Sequence, residues 1–358
     1  MRHLAACILL TLLLVGCAAP ADPDKAQESI QVIAMDTAML ITTYGERSSA
    51  AAYAAEDVIR DLEKQLSRTK EDSVVSQLNA AGRRMLVEGD LIPLLSSSGW
   101  FYELTSGAFD ITVAPVVSAW GFTTDSFQVP SQEELHELLK LVDGSEVSVT
   151  PAYDDGEGTK ATVRLGPGQS IDLGAIAKGY AANKVLEVFR EYGLPRAKAE
   201  LGGNVLVLGD RPDETPWRVG IQDPKRPDDP NGFIGVLELT DSFAVTSGGY
   251  QRYFEENGKR YHHIIDPSTG YPADSGLTSV TVVADCEMEN GTMCDALSTA
   301  LFIMGEEKAL DFWRSGGVPD SNFELVLVTE DGRVLITEGL ADRFVRDESS
   351  GYSYETIS

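Results

Sequence analysis

The order of strand-like and helix-like segments constrains the fold of this 358-residue chain more than any other feature. Apolar residues recur at helical spacing in some stretches and alternate in others, but without the regular β-α-β order that builds a parallel sheet. No stretch rich in Pro, Gly and Ser divides the chain after its N-terminus. We therefore predict a single α+β domain of the mixed-sheet type. The predicted helices cover residues 48–66, 91–105, 131–141, 174–192 and 292–304, and the predicted strands cover residues 31–43, 147–163, 197–208, 217–221, 234–239, 243–246, 278–284 and 323–337.

The N-terminus has the pattern of a bacterial export signal. Arg2 and His3 precede an apolar run over residues 4–15, which is shorter than the ~20 residues needed to span a bilayer. The run ends in Leu-Val-Gly-Cys at Cys17, which resembles a lipobox, where the cysteine thiol receives a diacylglycerol. An ordinary signal peptide that contains a cysteine is the alternative. We expect an exported protein that is lipid-anchored to the bacterial membrane on its extracytoplasmic side. Its expected parts are a signal peptide over residues 1–16, a lipidated tether over 17–30, the domain over 31–345 and a polar tail over 346–358.

Two cysteines remain after this segment, Cys286 and Cys294. A disulfide is allowed outside the cytoplasm, but two cysteines make no framework. We interpret both as small core residues.

The formal net charge of −27 argues against a nucleic-acid partner, because binding to a phosphate backbone needs a positive surface. Acidic charge of this kind usually forms a solvated surface. If the substrate is an anionic nucleotide, the site must supply its own cation, which favours a divalent metal.

A possible anion site lies at residues 172–181, Asp-Leu-Gly-Ala-Ile-Ala-Lys-Gly-Tyr-Ala. Asp172 is typical of a helix N-cap, where it would satisfy free backbone N–H groups. The same helix start gathers donors and a positive dipole end that suit a phosphate, and Lys178 is near enough to reach one. The spacing is not that of a Walker A loop. An earlier segment, residues 106–112, indicates core packing with Asp110 as a turn or cap residue.

Two further segments carry candidate chemistry. His263 follows His262 and precedes the Asp-Pro-Ser-Thr-Gly turn at residues 266–270, and a histidine can act as a general base at neutral pH. Asp295 and Thr299 lie four residues apart and so share one helix face. A carboxylate beside a hydroxyl suits Mg²⁺, which keeps several waters and binds substrate phosphates. Asp295 also fits a helix cap, so spacing leaves both interpretations open.

Taken in order, these segments resemble the ApbE family of FAD:protein FMN transferases over roughly residues 32–337. Each motif is moderately specific, and their shared order is hard to obtain by chance. The matching stretches are 35–37, the Ser67, Ser73, Ser76 and Asn79 series, 108–110, 172–181, 201–204, 246–250, 263–270 and 295–305.

The resemblance implies a Mg²⁺-dependent enzyme that takes FAD as substrate and transfers FMN to a Thr or Ser hydroxyl of an acceptor protein, releasing AMP. The acceptor would be a subunit of a membrane redox complex or a secreted flavoprotein with an Asp-x-x-(Ser/Thr)-x-Ala-Thr-like segment. The general base would be His263. The resemblance also implies an FAD site of Met35, Thr69, Ala108, Phe109, Asp110, Asp172, Lys178 and the backbone of Ile264 or Ile265, and metal ligands from the Ala175 carbonyl and the Asp295 and Thr299 side chains.

Two positions depart from the family pattern. Thr69 stands where the family often has an aromatic residue that could stack on FAD, and Asp36 replaces the Gly of a Met-Gly-Thr sequence. Thr69 keeps open a second activity, Mg²⁺-dependent hydrolysis of FAD to FMN and AMP. A third possibility is a non-catalytic FAD-binding lipoprotein. Asp172, Asp295 and Thr299 argue against that possibility, since a protein that only binds FAD needs no set of metal ligands.

Overall fold

A computed structural model describes residues 26–358 of the chain, except residues 125, 155, 157 and 288. The predicted signal peptide, Cys17 and most of the predicted tether lie outside the described residues. Among the helices of the described part, none is both long and apolar enough to cross a membrane.

The described residues form helices and strands that are mixed along the chain. The strands are β1 (Gln27–Ala34), β2 (Thr37–Tyr44), β3 (Arg84–Glu88), β4 (Ser148–Val149), β5 (Tyr153–Asp154), β6 (Thr159–Arg164), β7 (Arg196–Glu200), β8 (Asn204–Leu208), β9 (Trp217–Gln222), β10 (Phe233–Leu239), β11 (Ser242–Gly248), β12 (Tyr253–Glu256), β13 (Lys259–His262), β14 (Leu277–Asp285), β15 (Glu324–Thr329), β16 (Arg333–Thr337), β17 (Phe344–Arg346) and β18 (Ser353–Ile357). The helices are α1 (Ser48–Leu66), α2 (Val74–Ala81), α3 (Leu91–Leu104), α4 (Ala114–Ala119), α5 (Gln132–Leu139), α6 (Ala177–Glu191), α7 (Asn290–Met304) and α8 (Glu306–Arg314).

A nine-stranded sheet is the frame of the molecule, in the order β1-β2-β7-β8-β11-β14-β15-β16-β18. Its neighbouring strands are antiparallel except β16 and β18, which are parallel. Smaller sheets are β17-β10-β9, β12-β13, and β3-β6-β4 with β5 beside β6. The predicted α+β class with a large mixed sheet is therefore confirmed.

Helices α1, α6 and α7 cover one face of the large sheet. In α1 the apolar residues recur every three or four positions, so one stripe faces the sheet. That stripe is Ala51, Ala52, Ala55, Ile59, Leu62 and Leu66. Helix α7 lies between α6 and the sheet and is buried over most of its surface, which places its polar residues in the interior.

The opposite face of the sheet packs against β9, β10 and β17. For this reason β14, predicted as an alternating strand, is buried on both faces: Val280 and Val282 lie in the helix-side core, whereas Val283 lies in the second core. A third apolar cluster is aromatic. It is centred on the fully buried Trp120 and joins α4, α5 and the β12–β13 hairpin.

The structure differs from the sequence prediction at both ends of the domain. The predicted first strand is a hairpin, in which β1 and β2 turn at Met35–Asp36, so residues 27–30 belong to the sheet and not to a tether. The predicted polar tail contains β18, which pairs with β16, and Tyr352 beside it is buried. Both segments form strands because their backbones pair with an edge of the sheet. Neither segment has an apolar pattern strong enough to predict a strand.

Candidate functional site

A cleft opens where the β1–β2 turn, the end of α1 and the loop before α6 meet. It brings together four predicted FAD-site residues, Met35, Thr69, Asp172 and Lys178. The same cleft is lined by Asp36 and by three charged residues that the sequence analysis did not single out, namely Glu63, Arg68 and Lys70.

The β1–β2 turn enters the cleft in a left-handed conformation. Met35 has φ of 49° and Asp36 has φ of 58°, which are unfavourable angles for residues with a Cβ atom. Glu63 holds this turn, because one carboxylate oxygen accepts from the Met35 N–H at 2.9 Å while the other pairs with Lys70 at 2.6 Å. Burial alone would raise the pKa of Glu63, but the hydrogen bonds from Lys70 and Met35 outweigh burial and lower that pKa. Glu63 therefore remains charged.

The serine series and Asn79 hold the backbone segments that border the cleft. Ser73 caps α2 by accepting from the Ser76 N–H at 3.0 Å, and the hydroxyls of both serines donate to the Ser67 carbonyl. Asn79 then bonds both backbone groups of Ile171, accepting from its N–H at 2.8 Å and donating to its carbonyl at 3.0 Å. The amide thus fixes the residue directly before Asp172.

Asp172 is part of a tight turn, not the N-cap of α6, so the cap prediction for it was wrong. The helix starts at Ala177, and Asp172 accepts from the Gly174 N–H at 2.8 Å with one oxygen. Its other oxygen pairs with Arg68 at 2.6 Å. Arg68 also donates to the Ala114 carbonyl and to Ser118, and so ties this turn to α4.

Helix α7 supplies the missing cap of α6. A carboxylate oxygen of Asp295 accepts from the Gly179 N–H at 2.8 Å, and Asp295 is only 3% exposed. The two helix backbones approach this closely because both crossing residues are glycines: a Cβ on Gly179 would lie 2.2 Å from the Gly291 carbonyl oxygen. Asp295 lies inside α7, which begins at Asn290, so it does not cap its own helix.

The surroundings of Asp295 fit a divalent cation. In a regular helix the Gly179 N–H would bond to the Ala175 carbonyl, four residues before it. Here it bonds to Asp295 instead, so the Ala175 carbonyl is available as a ligand. Thr299 lies one turn along α7 with its hydroxyl 3.1 Å from that of Ser247. In the described part of the chain, Asp295 has no ion pair, and no cluster of three or more His, Cys, Asp or Glu side chains could hold a metal. One carboxylate with hydroxyl and carbonyl oxygens suits Mg²⁺ that also binds phosphates.

The cleft has one positive charge to offer to an anion. Arg68 pairs with Asp172 and Lys70 pairs with Glu63. Of the cleft cations, Lys178 alone has no carboxylate partner among the residues that the structure describes; its ammonium lies 3.3 Å from the Gly174 carbonyl oxygen.

His263 is held in one tautomer by the backbone. The Arg252 carbonyl lies 3.1 Å from both the N–H and the Nδ1 of His263. Because a carbonyl only accepts, Nδ1 carries the proton and Nε2 has the free lone pair. Burial lowers the pKa of His263 to about 4. The hydrogen bond to the Arg252 carbonyl raises this pKa but is outweighed, and the charges of Lys178 and Arg252 add to the lowering. The ring is therefore neutral at pH 7, and it lies within the field of Lys178.

The remaining predicted FAD-site residues do not line this cleft. Phe109 packs in the core 6.1 Å from the Phe101 ring. Asp110 caps a short helical turn: one oxygen accepts from the Thr112 N–H at 2.7 Å and the other accepts from the Gly144 N–H at 3.0 Å. Burial raises the pKa of Asp110. The cap interpretation of Asp110 is confirmed, and contact of Ala108, Phe109 and Asp110 with FAD stays a prediction.

Ile264 and Ile265 are both buried beside His263. The Ile264 carbonyl accepts from the Ala273 N–H at 2.9 Å, and Ile265 bridges to Pro272. Their contact with FAD also stays a prediction. Cys286 and Cys294 are buried free thiols, as the core interpretation predicted.

Comparison with known proteins assigns the chain to a family. The ApbE family model matches residues 35–320. The FAD:protein FMN transferase of Treponema pallidum is 34% identical over 326 residues, which are 87% of this chain and 87% of that protein. That of Klebsiella pneumoniae is 30% identical over 90% of this chain and 95% of its own length.

The crystal structure of the ApbE protein of Thermotoga maritima superposes with a TM-score of 0.76 at 34% identity, covering 90% of this chain and all of that one. The apo flavinyl transferase ApbE of Pseudomonas stutzeri gives a TM-score of 0.72 at 27% identity, covering 89% and 97%. This chain therefore belongs to the ApbE family.

Proposed function

We propose that this enzyme transfers FMN from FAD to a serine or threonine hydroxyl of an acceptor protein, with Mg²⁺ as cofactor. The observation that carries the proposal is the hydrogen bond that fixes His263 as the Nδ1–H tautomer, within the field of Lys178, a cleft cation without a carboxylate partner among the described residues. A neutral base and a cation that act on one substrate are what phosphoryl transfer to a hydroxyl requires.

The acceptor oxygen attacks the phosphorus of the FMN half of FAD, and its proton passes to Nε2 of His263. The bond between that phosphorus and the bridging oxygen breaks, and AMP leaves with the bridging oxygen. Lys178 attracts the pyrophosphate, whereas the Glu63–Lys70 and Arg68–Asp172 pairs hold the cleft walls in place. Positioning and electrostatics supply most of the catalysis in such reactions.

The Ala175 carbonyl, Asp295 and Thr299 would hold Mg²⁺. When bound, the ion would draw negative charge from the phosphate oxygens. The Asp295→Asn variant tests this assignment, because an amide oxygen can still accept from the Gly179 N–H while the charge is lost. We expect a folded protein without Mg²⁺-dependent turnover; unchanged activity would remove Asp295 from the metal site.

The test of the reaction uses the purified chain from residue 18 onward, FAD, Mg²⁺ and a carrier protein that ends in Asp-Gly-Ala-Thr-Ser-Ala-Thr. Mass spectrometry follows the carrier, and chromatography follows AMP. A carrier mass increase of one FMN that requires Mg²⁺ supports the transferase. AMP and free FMN without labelling would indicate FAD hydrolysis instead, and bound FAD without either product would indicate a binding protein.

We further propose that Cys17 is lipidated and anchors the enzyme outside the cytoplasm, where its acceptor is a membrane redox subunit or a secreted flavoprotein. The support is the apolar run that ends at Cys17. Labelled palmitate should enter the parent protein and not the Cys17→Ser variant; labelling of both would contradict the lipobox.

A further inference from the structure

A chain of hydroxyl groups connects strand β11 to both candidate metal ligands of α7. Ser247 lies near the end of β11, with its hydroxyl 2.8 Å from that of Ser298 and 3.1 Å from that of Thr299. The Ser298 hydroxyl in turn lies 2.9 Å from the backbone carbonyl oxygen of Asp295. We call the hydroxyls of Thr299, Ser247 and Ser298 the hydroxyl chain. Ser247 belongs to the 246–250 stretch, which matches the family pattern but has no part in the proposed reaction.

The direction of each hydrogen bond in the hydroxyl chain follows from the number of protons. A hydroxyl carries one proton, whereas a carbonyl only accepts. Ser298 therefore donates to the Asp295 carbonyl, and it must accept from Ser247. Ser247 has then used its one proton, so it must accept from Thr299. The protons all point one way, from Thr299 through the two serines to the Asp295 carbonyl.

This direction decides what the Thr299 oxygen can offer to a neighbouring group. A threonine inside a helix commonly donates its proton to the carbonyl four residues before it, which for Thr299 is that of Asp295. Here Ser298 bonds to that carbonyl, and the Thr299 proton goes to Ser247 instead. The Thr299 oxygen therefore has no proton to direct at a cation and can act towards it only through its lone pairs. Lone pairs of oxygen are what a hard cation such as Mg²⁺ binds.

The hydroxyl chain is shielded from water and is attached to a rigid strand. Ser298 is 0% exposed, and Ser247 and Thr299 are half-buried. Strand β11 pairs with β14 along its whole length, so the backbone that carries Ser247 is fixed by the large sheet. Hydrogen bonds from such a framework orient the ligands of metal sites.

We infer that Ser247 is a positioning residue for the metal site, because its hydroxyl holds the Thr299 proton and leaves the Thr299 lone pairs to the cation. This inference rests on the Mg²⁺ site of the proposed function and deepens it. It assigns Ser247 no direct contact with metal or FAD.

The test compares a variant of Ser247 with a matched control on the other face of the same two strands. Ser247→Ala removes the acceptor of the Thr299 proton, whereas Ser247→Thr keeps a hydroxyl. The control is Thr281→Val, which removes one partner of the Thr246–Thr281 hydroxyl pair at 2.8 Å. Successive side chains of a strand point to opposite faces, so this pair lies away from α7 and its loss leaves the hydroxyl chain intact.

The first measurement is the Kd for Mn²⁺ of the metal-free proteins, followed by electron paramagnetic resonance. Mn²⁺ serves as the probe because it takes the same oxygen ligands as Mg²⁺. We expect this Kd to rise about tenfold or more in Ser247→Ala and to stay within about twofold of the parent in Ser247→Thr and in Thr281→Val.

The second measurement is the dependence of FMN transfer on Mg²⁺. In Ser247→Ala, the Mg²⁺ concentration for half-maximal rate should rise about tenfold, while kcat at saturating Mg²⁺ and the Kd for FAD without metal should change less than about twofold. A merely structural role would not produce this separation, and it would not be rescued by Ser247→Thr.

A Mn²⁺ Kd in Ser247→Ala equal to that of Thr281→Val would overturn the inference. So would a loss of kcat at saturating Mg²⁺ with unchanged Mn²⁺ affinity, which would place Ser247 in substrate binding. A parent protein that binds no Mn²⁺, or an Asp295→Asn variant that binds it as tightly as the parent, would refute the metal site and the role of Ser247 with it. The expected order of Mn²⁺ affinities without any labelling of the carrier would refute the transferase and support the hydroxyl chain.

Discussion

Replacing Gly179 with alanine tests the close crossing of α6 and α7. The new Cβ would lie 2.2 Å from the Gly291 carbonyl oxygen and 2.6 Å from the Asp295 Cβ. Both obstacles are rigid, because one is backbone and the other is the first atom of a buried side chain. The helices must therefore separate by about 1 Å to restore ordinary van der Waals contact.

This separation has a cost in stability and a cost in activity. Overpacking a core costs about 1–3 kcal/mol, and a rigid obstacle puts this site at the upper end. Alanine recovers about 1 kcal/mol of helix propensity, so we expect a net loss of about 2 kcal/mol in the free energy of unfolding. The shift also moves Asp295 relative to the cleft. A misplacement of about 1 Å can reduce turnover about a hundredfold.

Urea unfolding and the FMN-transfer assay measure the two effects. Gly99→Ala is the matched control, because Gly99 also lies in a helix but has no atom within 4 Å of the position that a Cβ would occupy. That control should gain about 0.5–1 kcal/mol and keep full activity. If Gly179→Ala were as stable as the parent, the backbone contact and the placement of Asp295 would both be refuted.

Four further predictions concern His263 and the cleft. Burial lowers the pKa of His263 to about 4, so the base is already neutral at pH 5.5. We therefore expect a plot of kcat for transfer against pH to show no break near pH 6.5. A break there in the parent that is absent in His263→Gln would contradict the lowered pKa. The same shift should cost stability as the pH falls from about 6.5 towards about 4, since the unfolded chain binds the proton first, and His263→Gln should reduce that slope in urea titrations. Arg68→Met leaves the Asp172 carboxylate without its cation and should weaken FAD binding about tenfold, as measured by fluorescence titration. Arg68→Lys should restore part of the affinity. Equal FAD affinities of Arg68→Met and the parent would show that the pair does not shape the cleft. Asp36→Gly removes an unfavourable left-handed residue and a carboxylate from the cleft, so it should add about 0.5–1 kcal/mol of stability and tighten FAD binding; weaker binding would indicate that Asp36 itself contacts FAD or metal.

Much of the fold and of the candidate site could be predicted from local sequence. The amphipathic stripe of α1, helix α5 and the turn-flanked strands β15 and β16 follow from spacing within a few residues. The β12–β13 hairpin was not predicted, because its sequence alternates charged and aromatic residues only briefly. Arg68, Glu63 and Lys70 were also missed, since single charged residues beside a serine turn carry no periodic signal.

The sequence by itself determined the α+β class, the positions of most helices, and the identities of His263, Asp295 and Thr299 as residues with chemical potential. These follow from short-range periodicity and from residue type, which are properties of neighbours along the chain. Only the tertiary structure decided which groups act together. Asp295 reaches the start of α6 because two glycines 112 positions apart in the chain let the backbones touch, and the Arg252 carbonyl sets the tautomer of His263 from the far side of a hairpin. Such contacts depend on packing between distant segments, and no local pattern encodes packing of that kind.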